Sequence, residues 1–146
     1  MFSLLNYLKE AEKNHTAIGH FNISNLEQLK AIAETAKKLN LPVIIGVSEG
    51  ERNFMGTRAV ATLVKSLRES LNHPIFLNAD HTHSLEFVKE AAEAGFDAIL
   101  VDGGKKPFEE NIAFTKEAVK IIKSINPDIL IEGEIGSILR DRISCI

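Results

Sequence analysis

The sequence predicts an α/β protein organised around a parallel sheet. Short apolar runs alternate with longer segments of helical spacing, helix-start signals fall between the runs, and chemically versatile polar residues gather where the runs end. The runs are Thr16–Phe21 (TAIGHF), Leu41–Val47 (LPVIIGV), Pro74–Ala79 (PIFLNA), Asp97–Val101 (DAILV) and Asp128–Ile131 (DILI). Rich in Val and Ile and bounded by Gly, Pro or Asn, they suit strands covered on both faces.

The helical segments follow in order. After the first run, Leu26, Leu29, Ala33, Ala36 and Leu39 share one helical face, and Ser24 with Glu27 reads as a capping box. Ser84, with Glu86 behind it, reads as a second helix start. Before the last run, Phe108, Ile112, Thr115, Val119 and Ile122 form a mainly apolar stripe. Pro107 is expected at its first helical position, with Glu109 and Glu110 facing the positive end of the helix dipole. The expected order is β-α-β-α-β-α-β-α-β, in an open doubly wound sheet or in a barrel. Neither G-x-G-x-x-G after the first run nor G-x-x-x-x-G-K-[ST] occurs, which weakens the nucleotide-binding versions of the open sheet. An eight-unit barrel takes about 250 residues; this chain has 146.

Composition excludes several function classes. The chain is 45% hydrophobic and 25% charged, ordinary for one globular domain. A net charge of −3 and a pI near 6.0 give no footprint for nucleic acid or an anionic membrane. Cys145 is the single cysteine, so no intrachain disulfide forms and a reducing compartment is expected. No apolar stretch reaches the length of a membrane span, and no leader pattern opens the chain, so the expected location is cytoplasmic.

In either parallel architecture, chemistry collects where strands end and helices begin. Those junctions hold His20, Phe21 and Asn22; Ser48 and Glu49; Asp80, His81 and His83; Asp102 and Gly103; and Glu132 and Glu134. Imidazole and carboxylate suit Zn²⁺ or a similar divalent ion. In a continuing strand His81 and His83 would face one side. The Ser84 cap instead predicts that the strand has ended by Asp80, which leaves His83 open between ligand and loop residue.

These residues carry a resemblance. NADHTHSLEFVKEAAEAGFDAILVDGGKKPFEENIAFTKEAVK, followed by IEGEIG, resembles the core of the class II, metal-dependent fructose-bisphosphate aldolases. AIGHFNISNLEQLKAIAETA and PVIIGVSEG resemble that family's first two β-α units, in the same order and spacing. The resemblance implies a (β/α)8 barrel of TIM-barrel type, with about the first four and a half β/α units present in residues 1–136. It implies cleavage of a ketose bisphosphate, fructose 1,6-bisphosphate or its tagatose relative, to dihydroxyacetone phosphate and an aldehyde. By position it makes Asp80 the proton-transfer acid and His81 a ligand of catalytic Zn²⁺. Asp102 and Glu134 become carboxylates for a second divalent or monovalent cation or the alternative metal position. Ser48 and Asn22 become substrate contacts. It requires no histidine at position 83, so His83→Ala is expected to leave metal affinity nearly unchanged.

The resemblance further implies a homo-oligomer for the full-length protein. Carboxylate and imidazole donors accept Zn²⁺, Co²⁺ or Mn²⁺. Residues 137–146 (SILRDRISCI) resemble nothing in the family and are expected to be a divergent tail, from truncation or a shifted reading frame. Two other readings stand beside the aldolase: a metal-dependent barrel hydrolase with His81 and His83 as paired ligands, and a non-catalytic half-barrel.

Overall fold

A computed structural model describes residues 2–136; the expected divergent tail lies outside them. The elements are α1 (Leu4–Lys13), β1 (Gly19–Asn22), α2 (Leu26–Leu39), β2 (Val43–Ser48), α3 (Glu49–Met55), α4 (Thr57–Leu71), β3 (Ile75–Thr82), α5 (Leu85–Ala94), β4 (Ala98–Val101), α6 (Phe108–Ile125) and β5 (Leu130–Gly133). All strand pairs are parallel, and the order in the sheet is β1-β2-β3-β4-β5. A doubly wound sheet reverses its strand order at a switch point. This sheet never reverses, so right-handed crossovers put every connecting helix on one face, as in the arc of a barrel.

One apolar cluster fills the space between sheet and helices. Val43, Ile45 and Val47 of β2 and Ile75, Leu77 and Ala79 of β3 meet Leu29 and Ala33 of α2, Val60 and Val64 of α4, Val88 of α5 and Ile122 of α6. The register sends the alternate residues the other way: His20 and Asn22, Ile44, Gly46 and Ser48, and Phe76, Asn78 and Asp80. This inner face grows more polar toward the carboxyl ends of the strands. At the opposite end, Tyr7 of α1 packs on Phe76 with ring centroids 5.5 Å apart, and Arg68 lies over the same ring at 5.7 Å. Arg68 also pairs with Asp97, and Asp97 accepts the Leu77 N–H at 2.7 Å, which ties α4 to the base of β3.

Several sequence expectations move. A helix, α1, precedes the first strand, and α3 and α4 together link β2 to β3, joined at Gly56 with φ +85°. The first strand begins at Gly19 rather than Thr16. The last runs Leu130–Gly133, because Asp128 is held in a turn by the Asn126 side chain. Asn25, not Ser24, caps α2: its side chain accepts the Gln28 N–H at 2.9 Å, and Gln28 Oε1 accepts the Ser24 N–H at 2.7 Å. The Asn25–Gln28 pair thus takes the place of the Ser24–Glu27 box, with Gln28 reaching the N–H one residue before the cap. Pro107 is the cap residue of α6 rather than its first helical residue. Ser84 caps α5 as expected, accepting the Phe87 N–H at 3.2 Å. Among the described residues no helix is long and apolar enough to cross a membrane.

Candidate metal centre

The site begins with an irregularity in β3. Ala79 pairs with Ile99, but the next pair is Thr82 with Val101, so β3 carries one more residue than β4 across this step. His81 absorbs the extra residue in the left-handed region, with φ +45°. Such a bulge re-aims side chains at a sheet rim. Thr82 returns to the helix side and is fully buried, while Asp80 and His81, adjacent in sequence, both turn toward the rim. The strand therefore continues past Asp80, correcting the expectation that it ends there.

Arg52 of α3 pins this bulge. Its guanidinium is buried and donates to the Val47 carbonyl at 2.5 Å, the Asp80 carbonyl at 3.2 Å and Thr82 Oγ1 at 2.9 Å. Burial pulls its pKa down, against the opposing fields of Glu49, Asp80 and Glu90. Arg52→Met should lower stability by about 3 kcal/mol, since two buried acceptors and one partly buried acceptor lose a charged donor. Denaturant melts check this, and a loss below about 1 kcal/mol would contradict the pinning role.

Around the bulge the donors converge. His81 Nδ1–H donates to Asp102 Oδ2 at 2.8 Å and lies 3.4 Å from Glu134 Oε2. His81, Asp102 and Glu134 each offer one donor atom, all within 4.8 Å of one another. Asp102 follows β4, where its N–H bonds the Thr82 carbonyl at 2.9 Å, and its Oδ1 accepts the Gly104 N–H at 2.9 Å. Glu134 follows β5, and its carbonyl accepts Asn111 Nδ2–H at 2.7 Å. Asn111 fits because residue 103 is glycine: a Cβ there would stand 2.0 Å from Asn111 Oδ1.

Electrostatics follow from this packing. The Asp102 hydrogen bond, then the charges of Asp80, Asp102 and Glu134, raise the His81 pKa against burial. Burial pushes the Asp102 carboxyl up, but the Gly104 N–H, the His81 hydrogen bond and the charges of His83 and His81 hold it below its ordinary value.

The remaining sequence candidates divide. Asp80 stands beside this group, not in it: Asn22 Nδ2–H donates to its Oδ2 at 2.7 Å, and its Oδ1 lies 4.0 Å from His81 Nε2. Asn22 reaches across because residue 46 is glycine; a Cβ there would sit 2.2 Å from Asn22 Oδ1. Ser48 is opposite Asp80 in register, but its hydroxyl accepts the Glu51 N–H at 3.4 Å and caps α3. His20 stays lower on the inner face, its Nε2 3.1 Å from Asn78 Nδ2. His83 comes to the rim, 3.5 Å from Asp102 Oδ2. The sequence reading missed Arg52, Asn78 and Asn111. Asn78 and Asn111 had a signal, their places in the NADHTHSLE and PFEEN stretches of the segment that carries the resemblance; Arg52 had none.

The profile of the family described as "Fructose-bisphosphate aldolase class-II" matches residues 2–143, past the last described residue. A fructose-bisphosphate aldolase of Staphylococcus aureus (strain Mu50) is 38% identical over 141 residues, covering 94% of this chain and 49% of that protein. One from Geobacillus stearothermophilus is 37% identical over 139 residues, covering 93% and 48%. Among solved structures, the YdjI aldolase from Escherichia coli K12 superposes with a TM-score of 0.83 at 29% identity, covering 92% of this chain and 52% of that one. A putative fructose-1,6-bisphosphate aldolase from Coccidioides immitis gives 0.83 at 30% identity, covering 91% and 51%. The chain spans about half the length of the curated relatives it matches, and its five-stranded arc corresponds to about half of each superposed chain. From its profile match, its identity to these relatives and its fold, the chain belongs to the class II fructose-bisphosphate aldolase family.

Proposed function

We propose that this chain contributes the proton-transfer group and a metal-binding wall to a metal-dependent aldolase acting on a ketose bisphosphate, fructose 1,6-bisphosphate in the first instance. The observation that carries the reading is the convergence of His81, Asp102 and Glu134 beside an Asp80 held by Asn22. Membership of a family that is generally metal-dependent supports it.

The donors fit a divalent cation. Ligands about 2.1 Å from a tetrahedral Zn²⁺ stand roughly 3.4 Å from one another. His81 Nδ1 and Glu134 Oε2 are 3.4 Å apart, and His81 Nδ1 and Asp102 Oδ2 are 2.8 Å apart around a shared proton. Cation binding displaces such a proton. His81, Asp102 and Glu134 would hold the ion, and the chemistry it supplies when bound is Lewis acidity toward the substrate's carbonyl oxygen.

Asp80 takes the proton from the C4 hydroxyl. As that proton leaves, the C3–C4 bond breaks, its electron pair passes to the ketone half, and the C4 oxygen becomes the aldehyde carbonyl. In the condensation direction Asp80 returns the proton. Asn22 fixes one carboxylate oxygen by its 2.7 Å hydrogen bond, which leaves the other to exchange the proton. Asn22 and Ser48 line the substrate side of the rim.

The test is substitution in a full-length barrel, made by joining this chain to the remaining half of the Geobacillus relative. His81→Ala should lose metal and activity together. Asp102→Asn and Glu134→Gln should each weaken metal binding about 10- to 100-fold while shifting the melting temperature by less than about 3 °C, equivalent to under roughly 1 kcal/mol. Equal loss of stability in both carboxylate variants, with metal affinity unchanged, would assign them a structural role instead.

A further inference from the structure

Two side chains of β1 cross the inner face to β3 on parallel diagonals. Asn22 Nδ2–H donates to Asp80 Oδ2 at 2.7 Å, and His20 Nε2 lies 3.1 Å from Asn78 Nδ2. Each reaches one row above its own register, in which Asn22, Gly46 and Asn78 stand level and Ser48 and Asp80 come next. Both pass over β2 at Gly46. A Cβ there would stand 2.2 Å from Asn22 Oδ1, 2.5 Å from His20 Cε1 and 2.8 Å from His20 Nε2, so the two side chains share one gap. An amide nitrogen only donates, so His20 Nε2 is the acceptor and the ring proton sits on Nδ1. Asn78 is buried and anchors the ring, whereas His20 and Asn22 are exposed on the inner face.

We propose that His20 is a positioning residue for proton transfer: its ring, anchored on Asn78, fills the part of the Gly46 gap into which the Asn22 amide would otherwise turn, and so keeps Asn22 Nδ2–H on Asp80. The proposal rests on the reading of Asp80 as the proton-transfer group. The terminal torsion of an asparagine is broad, so an exposed Asn22 needs neighbours to hold one orientation. The three heavy atoms nearest the gap all belong to Asn22 and His20, which makes each the other's neighbour there. Turning the amide over would set its oxygen against the Asp80 carboxylate. It would also bring Asn22 Nδ2–H toward His20 Nε2, an acceptor that Asn78 already occupies. The Asn78 bond therefore does two things: it fixes the ring, and it removes the competing partner for the Asn22 donor. Acting through Asn22, His20 bears on how the Asp80 carboxylate is held, while His81, Asp102 and Glu134 keep their own contacts.

The experiment compares wild type, His20→Ala, His20→Gln, Asp80→Asn and the His20→Ala/Asp80→Asn pair by steady-state kinetics in the joined full-length barrel. His20→Ala should lower kcat about tenfold with KM within about twofold, the effect of a slightly misplaced reacting group. His20→Gln fills the same gap and offers Oε1 to the Asn78 N–H, so kcat should stay within about threefold of wild type. In the Asp80→Asn background His20→Ala should cost nothing more, because a residue acting through Asp80 has nothing left to position. Independently, magic-angle-spinning ¹⁵N spectra of the histidine-labelled 146-residue chain should show His20 protonated at Nδ1 and bare at Nε2, the signal being the one lost in His20→Gln. That measurement decides the matter even if the alanine variant fails to fold. Unchanged kcat in His20→Ala, a loss in KM instead, no rescue by Gln, a further loss on top of Asp80→Asn, or a proton on Nε2 would each overturn the proposal. A fall in kcat for Asp80→Asn would then leave the proton-transfer reading standing; full activity in Asp80→Asn would overturn both.

Discussion

Asp80→Asn should reduce kcat for ketose-bisphosphate cleavage by about 100-fold or more in the joined full-length barrel, while metal affinity stays within about twofold of wild type. The substitution is nearly isosteric, so the bulge, the Arg52 bond to the Asp80 carbonyl and the Asn22 contact all have a partner to keep. What the amide lacks is the ability to accept and return a proton. Asp80 is also set apart from the proposed metal donors. Its nearer oxygen is 4.0 Å from His81 Nε2, on the opposite side of the imidazole from the nitrogen facing Asp102 and Glu134. A general acid–base group should therefore be lost without loss of the cation, and kcat should fall with KM little changed. Steady-state kinetics and metal analysis on the same preparation separate the cases. Metal loss in the Asp80 variant would make it a ligand, and a kcat within threefold of wild type would remove it from proton transfer.

The same residues show how far the sequence was legible. The strands β2, β3 and β4 were readable because a parallel strand covered on both faces must be apolar nearly throughout, and LPVIIGV, PIFLNA and DAILV are. The edge strands β1 and β5, exposed along much of their length, carry a weaker apolar signature, and their starts moved by three and two residues; the start of β2 moved by two and the end of β3, through its bulge, by three. Helix α1 precedes the first apolar run and so fell outside an alternation counted from that run. The site was legible as a set of rim residues, because strand ends are positions that any β-α pattern marks.

Its internal geometry was not legible. Strict alternation sends Asp80 and His81 to opposite faces, and only the bulge, absorbed by a non-glycine residue at φ +45°, turns both to the rim. Nothing in SEGERN distinguishes Arg52, buried and donating to three acceptors, from a solvated charge. Gly46 and Gly103 do their work by leaving out a Cβ, so that Asn22 and Asn111 can cross them. Their partners lie 24 and 8 residues away in sequence, and no local pattern records the contact.

The 146-residue chain by itself should show no aldolase turnover, even with Zn²⁺ supplied and bound. Eight strands close a barrel of this kind, and among the described residues β1 pairs only with β2 and β5 only with β4. All four residues of β1 are exposed, and both edges offer unpaired backbone donors and acceptors, an invitation to association. The carboxyl side of the arc is also apolar in the wrong place. A groove of about 460 Å³ runs along α6 and β5, lined by Phe108, Ile112, Val119 and Ile135, and Ile135 is 78% exposed. Surface of that kind on an isolated arc favours oligomers or aggregation over a monomer.

A second reason leads to the same expected result. The proposed cation donors and Asp80 form one wall, but among the described residues no opposite wall stands across the inner face to fix a bisphosphate and exclude water, and positioning of that sort accounts for a large share of any enzyme's rate. Metal binding and turnover should therefore separate. Zinc titration on the short chain should report binding, while a coupled assay for triose phosphate reports nothing above background. Adding the separately expressed C-terminal half of the Geobacillus relative should restore cleavage and convert the heterogeneous oligomer into a defined assembly by light scattering. Full activity from the 146 residues alone would mean that five strands suffice, and with that the assignment of the cation and Asp80 to one incomplete wall would fall.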